Sequence, residues 1–205
     1  MPQTFTYILL LCTSLLFSPA YTLAQGLFDG PVDRLPPIQR DRLRRGLVVV
    51  TGDKGQYTAR VLVTATLPQV WAVLTDYGNL AQFIPNMAVS RIIQDQGDRK
   101  VVEQVDRRQV FVVNVVSRTV LDISEEKLSK INFRLSEGDL EKLTGTWQIE
   151  PVSFVPRQPP TQVLITHTVT VQPKANIPVG AFFEIFEASL AETLSAIAKE
   201  VQRRQ

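Results

Sequence analysis

Val63-Thr-Ala-Thr-Leu-Pro-Gln-Val-Trp-Ala-Val-Leu-Thr-Asp-Tyr-Gly-Asn-Leu-Ala-Gln-Phe-Ile-Pro85 is the stretch whose reading decides the fold. A β-prone run ends at Thr66, a residue type whose side-chain oxygen caps helices, and Pro68 falls in the first helical turn, where a missing N–H costs nothing. Val70, Trp71, Val73 and Leu74 then supply an apolar face. This helix is expected to end near Tyr77-Gly78. A second short helical piece, Asn79 to Phe83, has to stop before Pro85, because the residue ahead of a proline is pushed out of the helical region. One strand followed by two short helices and a proline-closed apolar knot points to a ligand cavity rather than to catalytic machinery.

Upstream, Leu47–Thr51 and Tyr57–Thr66 flank Gly52-Asp-Lys-Gly55, which is turn chemistry between β-prone runs and predicts a hairpin. Downstream, the runs 88–94, 100–107, 110–123, 130–136, 143–151 and 162–172 are separated by short turns such as Gln96-Gly-Asp98 and Glu137-Gly-Asp139. Parallel pairing needs crossovers of about a dozen residues, so these runs form an antiparallel meander. Alternation places Phe111, Val113 and Val115 on one face, and does the same for Ile131, Phe133 and Leu135, for Gly145, Trp147 and Ile149, and for Val163, Ile165, Val169 and Val171. The opposite face carries mostly polar groups, so the sheet has one apolar side that something must cover.

The last segment supplies the cover. From Val179 to Val201, Phe182, Phe183, Phe186, Leu190, Leu194, Ile197 and Val201 recur at three- and four-residue steps, which predicts one long amphipathic helix. The fold class is therefore α+β, with a curved antiparallel sheet of six to eight strands and a long C-terminal helix. A helix about 10–12 Å across cannot cover such a sheet. An elongated apolar space is expected to remain at one end, of the kind that holds apolar ligands.

At 205 residues the chain has room for one substantial domain. Its first 24 residues contain no Lys, Arg, Asp or Glu, and Tyr7–Phe17 is an apolar run followed by Thr22-Leu-Ala24. These features predict a secretory signal over 1–24 cleaved near Ala24, with an uncleaved membrane anchor as the alternative. Cleavage would place the working domain outside the cytoplasm, in a periplasm, lumen or medium. Cys12, the only cysteine, would leave with the signal. Residues 25–46, rich in Gly and Pro and then in Arg40, Arg42, Arg44 and Arg45, read as a linker or arm, with the domain over 47–205. A net charge of +2 selects no class of partner, and the absence of a basic stripe with interleaved aromatics argues against nucleic acid.

Pro68-Gln-Val-Trp71, Leu74-Thr-Asp-Tyr77, Phe83-Ile-Pro85, the strand residue Gln104, Gly138-Asp139, Gly145-Thr-Trp147, Pro173 and Pro178 carry a resemblance over about residues 47–201. The chain resembles the polyketide cyclase/dehydrase and coenzyme Q-binding branch of the START-like superfamily. That likeness implies the helix-grip arrangement of a curved sheet wrapped around the final helix. It also implies a hydrophobic ligand such as a lipid or isoprenoid quinone, with transient membrane contact as a possible accompaniment. No cofactor is implied.

The residues expected to line the cavity are Phe83, Ile84, Pro85, Gln104, Phe111, Phe133, Trp147, His167, Phe182, Phe183, Phe186 and Leu190. Three aromatics within five residues, Phe182 to Phe186, exceed what a packing stripe requires. Gln104 could donate to a ligand carbonyl or tie strands together. His167, the only histidine, shares a face with Ile165 and Val169, and a proton-transfer role for it would require a partner that the pattern does not supply. One histidine and one cysteine do not make a zinc set, and Ser136–Glu141 lacks the ligand spacing of a calcium loop, so no metal site and no catalytic residue is assigned. The leading expectation is a non-enzymatic carrier of a hydrophobic molecule. An aromatase or cyclase and a protein-interaction module are the alternatives.

Overall fold

A computed structural model describes residues 30–110, 113–153, 155, 158–175 and 177–205. The expected signal segment with Cys12 and the expected cavity residue Phe111 lie outside them. Among the described residues, no helix is long and apolar enough to cross a membrane.

Strands β1 (Val49–Asp53) and β2 (Gln56–Thr64) form the expected hairpin around Lys54-Gly55. Both turn residues have positive φ, +47° and +86°, the conformation whose twist matches that of paired strands. A side chain at Gly55 would also meet the carbonyl of Val171 and the ring of Phe183, so two constraints select glycine there. Helix α2 (Leu67–Leu74) follows, and the Thr66 amide donates to Gln69 Oε1 at 2.8 Å as a capping box. The second helical piece is a single 3₁₀ turn, Leu80–Gln82.

The meander comprises β3 (Met87–Asp95), β4 (Arg99–Val110), β5 (Val113–Glu126), β6 (Lys130–Gly138), β7 (Leu140–Val152) and β8 (Gln162–Pro173), and helix α3 (Val179–Arg203) ends the fold. One eight-stranded sheet results, in the order β1-β2-β8-β7-β6-β5-β4-β3, antiparallel throughout. Pairing of β2 with β8 closes the meander back onto the first hairpin. β1 and β3 are left as edges, and β3 is interrupted by register shifts at Met87/Val89 and at Ile92/Gln94.

Helix α3 packs over β1 and β2, with Leu194, Ile197 and Val201 fully buried against Val61, Val63, Val70 and Val73. Its C-terminal end is fixed by charge. Glu200 is paired with Arg203 and Arg204, and Arg204 reaches Asp76 at 2.8 Å and lies 5.7 Å from the ring of Phe83. Hydrogen bonds from the two arginines hold the Glu200 carboxyl down at about 2.

The segment expected to be a solvated arm is partly structured. Helix α1 (Pro37–Arg44) occupies it, and Val32 and Leu43 are buried with Val49, Leu62, Val152 and Leu164 in a second, smaller core. These partners alternate with Val61, Val63, Val163 and Ile165 of the main core, so α1 covers the back of the strands whose front α3 covers. Two apolar side chains anchor a segment that is otherwise polar, which is why its composition reads as a linker.

Candidate functional site

Alternation fixes which side chains face α3. On β4 and β5 the ion pairs of Glu103 with Arg91 and Arg118 lie on the outer face, so Val102, Gln104, Asp106 and Arg108, together with Ser117, Thr119 and Leu121, face inward. Arg108 confirms the direction by reaching Glu192 of α3 at 3.2 Å. Because α3 packs mainly over β1 and β2, the inner side of β4–β7 forms a concave wall that the helix meets only in part, as at the Arg108–Glu192 pair.

One part of that concave surface is aromatic. The His167 ring lies 3.8 Å from that of Trp147, tilted by 16°, and 5.5 Å from that of Phe133. His167 pairs across the strands with Trp147 on one side and Ala59 on the other, and its Nδ1 donates to the Thr146 carbonyl at 3.2 Å. Burial pushes its pKa down to about 4 against the opposing effect of that hydrogen bond, so the ring is neutral near pH 7 with Nε2 unprotonated. Gly145 makes the arrangement possible. A Cβ there would lie 2.7 Å from Phe133 Cζ and 2.1 Å from the Thr168 carbonyl.

Phe182 stacks on Phe186 at 5.8 Å and meets Phe183 edge-on at 5.5 Å, while Phe186 lies 6.0 Å from Tyr57. All three phenylalanines are only half-buried, although they sit on the sheet-facing side of the first turns of α3. Tyr57 is buried, and it escaped the sequence reading because nothing marks one tyrosine of a strand as a ring partner for a helix more than a hundred residues away.

The other expected residues divide. Leu190 and Ile84 are core, 5% and 7% exposed. Phe83 and Pro85 sit on the other flank of α3, where with Ala191, Ser195, Ala196 and Lys199 they line a groove of about 540 Å³. They are therefore separate from the Phe182–Phe186 cluster. Gln104 faces the concave wall between Ser90 and Thr119. A polar trough of about 590 Å³ lies on the sheet face away from α3, floored by Ser124, Asn132, Thr144 and Thr146 beside the Arg134–Asp122 pair.

Asp106 was not foreseen. It lies two residues from Gln104 on the same face, and burial raises its pKa to about 6 against the pull of Arg108. At the opposite end of the wall the Tyr77 hydroxyl donates to Glu125 at 2.8 Å, and Lys100 stands 3.6 Å from the same carboxylate. Burial and the neighbouring carboxylate keep the Tyr77 phenol protonated. Among the described residues, no three His, Cys, Asp or Glu side chains come together as metal ligands.

A curved antiparallel sheet gripping a long C-terminal helix, with two short helical pieces after the first hairpin, defines the START-like helix-grip class. The family model described as polyketide cyclase / dehydrase and lipid transport matches residues 63–198, and the chain belongs to that family. No curated protein sequence matches it. Among solved structures, a START superfamily protein from Mycobacterium smegmatis is 15% identical with a TM-score of 0.60, the match covering 73% of this chain and 99% of that one. The STAR-related lipid transfer protein of Xanthomonas axonopodis is 17% identical, with a TM-score of 0.58 and coverage of 76% and 92%. The Zhui aromatase/cyclase of a Streptomyces species is 19% identical, with a TM-score of 0.57 and coverage of 73% and 94%. At these identities the likeness is one of fold.

Proposed function

We propose that the protein binds a hydrophobic small molecule, a lipid or isoprenoid quinone, between the concave wall of β4–β7 and the N-terminal half of α3, and that it carries the molecule without transforming it. The observation that carries this reading is the contrast along α3. The aliphatic C-terminal half is sealed against the core, whereas the aromatic N-terminal half leaves three phenylalanines half-buried next to Tyr57. Apolar surface left in this state gains about 25 cal/mol per Å² when a ligand removes it from water.

His167 supports a binding role over a catalytic one. It is stacked, buried and neutral, its Nδ1 is committed to a backbone carbonyl, and among the described residues no carboxylate orients it. Asp106 favours the second reading, an aromatase or cyclase. A carboxyl raised to about 6 inside the concavity is suited to proton transfer near neutral pH. Both the lipid transfer protein and the aromatase/cyclase among the fold neighbours are compatible with such a cavity. An extracytoplasmic setting, expected from residues 1–24, would favour the carrier, since it separates the protein from cytosolic carrier-bound intermediates.

Native mass spectrometry with organic extraction, on protein purified from its own source, tests the reading. A stoichiometric apolar species that is recovered unchanged supports the carrier. Conversion of an added polyketide-like substrate that is lost in Asp106→Asn would replace it with the cyclase.

A further inference from the structure

Strands β4 and β5 outrun their neighbours. Pairing of β3 with β4 ends at Met87 opposite Asp106, and pairing of β6 with β5 ends at Gly138 opposite Thr119. The Arg107 amide still donates to the Asn86 carbonyl at 2.7 Å. Beyond it the pairs Arg108–Val115, Gln109–Asn114 and Val110–Val113 form a ribbon with no third strand beside it among the described residues. From Arg107 this ribbon reaches about 10 Å at the rise of an extended chain. Val115 and Val116 point to opposite faces of it and are 47% and 52% exposed. In the sequence, residues 109–117 contain six apolar side chains and no charge, with Arg107 and Arg108 before them and Arg118 after. A two-stranded ribbon is marginal in water even without apolar groups exposed on both faces.

We propose that this ribbon is a membrane-contact element, which enters the interfacial layer of a bilayer with its valines among the upper acyl chains and Arg107 at anionic lipid phosphates. The inference goes beyond the binding role above and does not depend on what the concave wall holds. The ribbon's reach matches the depth of about 5–10 Å to which interfacial elements bury their apolar side. Its unpaired edges keep it from going deeper, because hydrocarbon leaves free amides and carbonyls unsatisfied. A protein partner fits the ribbon less well, since a stable interface buries about 1,200 Å² or more, which three residue pairs do not supply. The charge has one sign. Arg107 is exposed and has no carboxylate partner among the described residues, while Arg108 is held at the base of the ribbon by Glu192 of α3 at 3.2 Å. A second copy of the chain would meet the ribbon with the same sign of charge, whereas an anionic bilayer complements it.

The test is flotation of the full chain with vesicles of phosphatidylcholine alone and of phosphatidylcholine mixed equally with phosphatidylglycerol. The wild type should bind both, and the anionic vesicles about fivefold more tightly, the margin of one arginine at such a surface. Val116→Asp should weaken binding to both by about tenfold or more, as a valine leaves the apolar layer and a charge takes its place. Arg107→Gln should remove the preference for anionic vesicles and leave binding to phosphatidylcholine unchanged. Ile38→Asp, at an apolar side chain 75% exposed on α1, should bind as the wild type does. All three positions are exposed, so the urea midpoints should match that of the wild type, which separates a lost contact from a lost fold. Binding that is absent in the wild type, unchanged in Val116→Asp or lost equally in Ile38→Asp overturns the ribbon as the contact, and an anionic preference that survives Arg107→Gln overturns the phosphate assignment. None of these outcomes bears on whether extraction finds a bound apolar species, so the binding role stands or falls separately.

Discussion

Strands β2 and β8 are enclosed on both faces over Val61–Val63 and Val163–Ile165, whereas β3 and the far end of β5 are nearly bare. Val61, Leu62 and Val63 are consecutive buried residues, as are Val163, Leu164 and Ile165, because α3 covers one side and α1 the other. Such unbroken apolar runs are what two-sided burial requires. On β3 only Ser90 is fully buried, while Ile92 and Ile93 are 40% and 51% exposed. The contrast shows that one sheet separates two tasks. Its closed half holds the fold together, and its open half keeps a concave wall available.

The sharpest way to break this comparison is to remove matched side chains from each half. Ile165→Ala, in the closed half, should cost about 2–5 kcal/mol by urea unfolding, since the vacated volume is walled in on all sides. Leu43→Ala should cost about 2 kcal/mol or more despite its place in an arginine-rich segment; a negligible loss would show that α1 is merely laid on the sheet. Gly145→Ala should cost about 1–3 kcal/mol by driving a methyl group into Phe133 and the Thr168 carbonyl. Ile92→Ala, at the open edge, should stay within about 0.5 kcal/mol.

Acid sharpens the comparison further, because two inward groups pull in opposite directions. The folded pKa of His167 lies below its ordinary value, so its share of stability is complete above about 6.5 and is lost as pH falls towards about 4. The folded pKa of Asp106 is raised, so its penalty is complete above about 6 and is relieved as pH falls through the same window. The two slopes offset each other in the wild type. Asp106→Asn should uncover the His167 slope, a loss of roughly 2–3 kcal/mol between about pH 7 and pH 4.5 in urea midpoints. A variant as flat as the wild type would mean that His167 is reached by water. Glu200 acts lower, its stabilisation holding above about 4.5 and fading towards about 2, and Glu200→Gln should lack that acid step.

Sequence signals carried the parts of this fold that depend on neighbours along the chain. The Thr66 cap, the turn within Gly52–Gly55, the alternation in β6–β8 and the period of α3 are all short-range, and each is found where it was expected. Parts of the site were legible for the same reason: Phe133, Trp147 and His167 share a face by alternation, and the structure stacks them. What depended on register between distant strands was not legible. Ser90 faces inward because of how β3 aligns with β4, and Phe83 and Pro85 part from Phe182 because they line the flank of α3 formed by Ala191, Ser195 and Lys199.

The two register shifts in β3 have a consequence beyond local geometry. A free edge of a sheet offers unpaired amides and carbonyls to any extended chain, and exposed isoleucines make the offer stickier. Each bulge breaks the regular spacing that a new strand would need, and the shifts at Met87/Val89 and Ile92/Gln94 leave only a few aligned residues between them. The open half of the sheet thus ends in an edge that a further strand cannot extend in regular register.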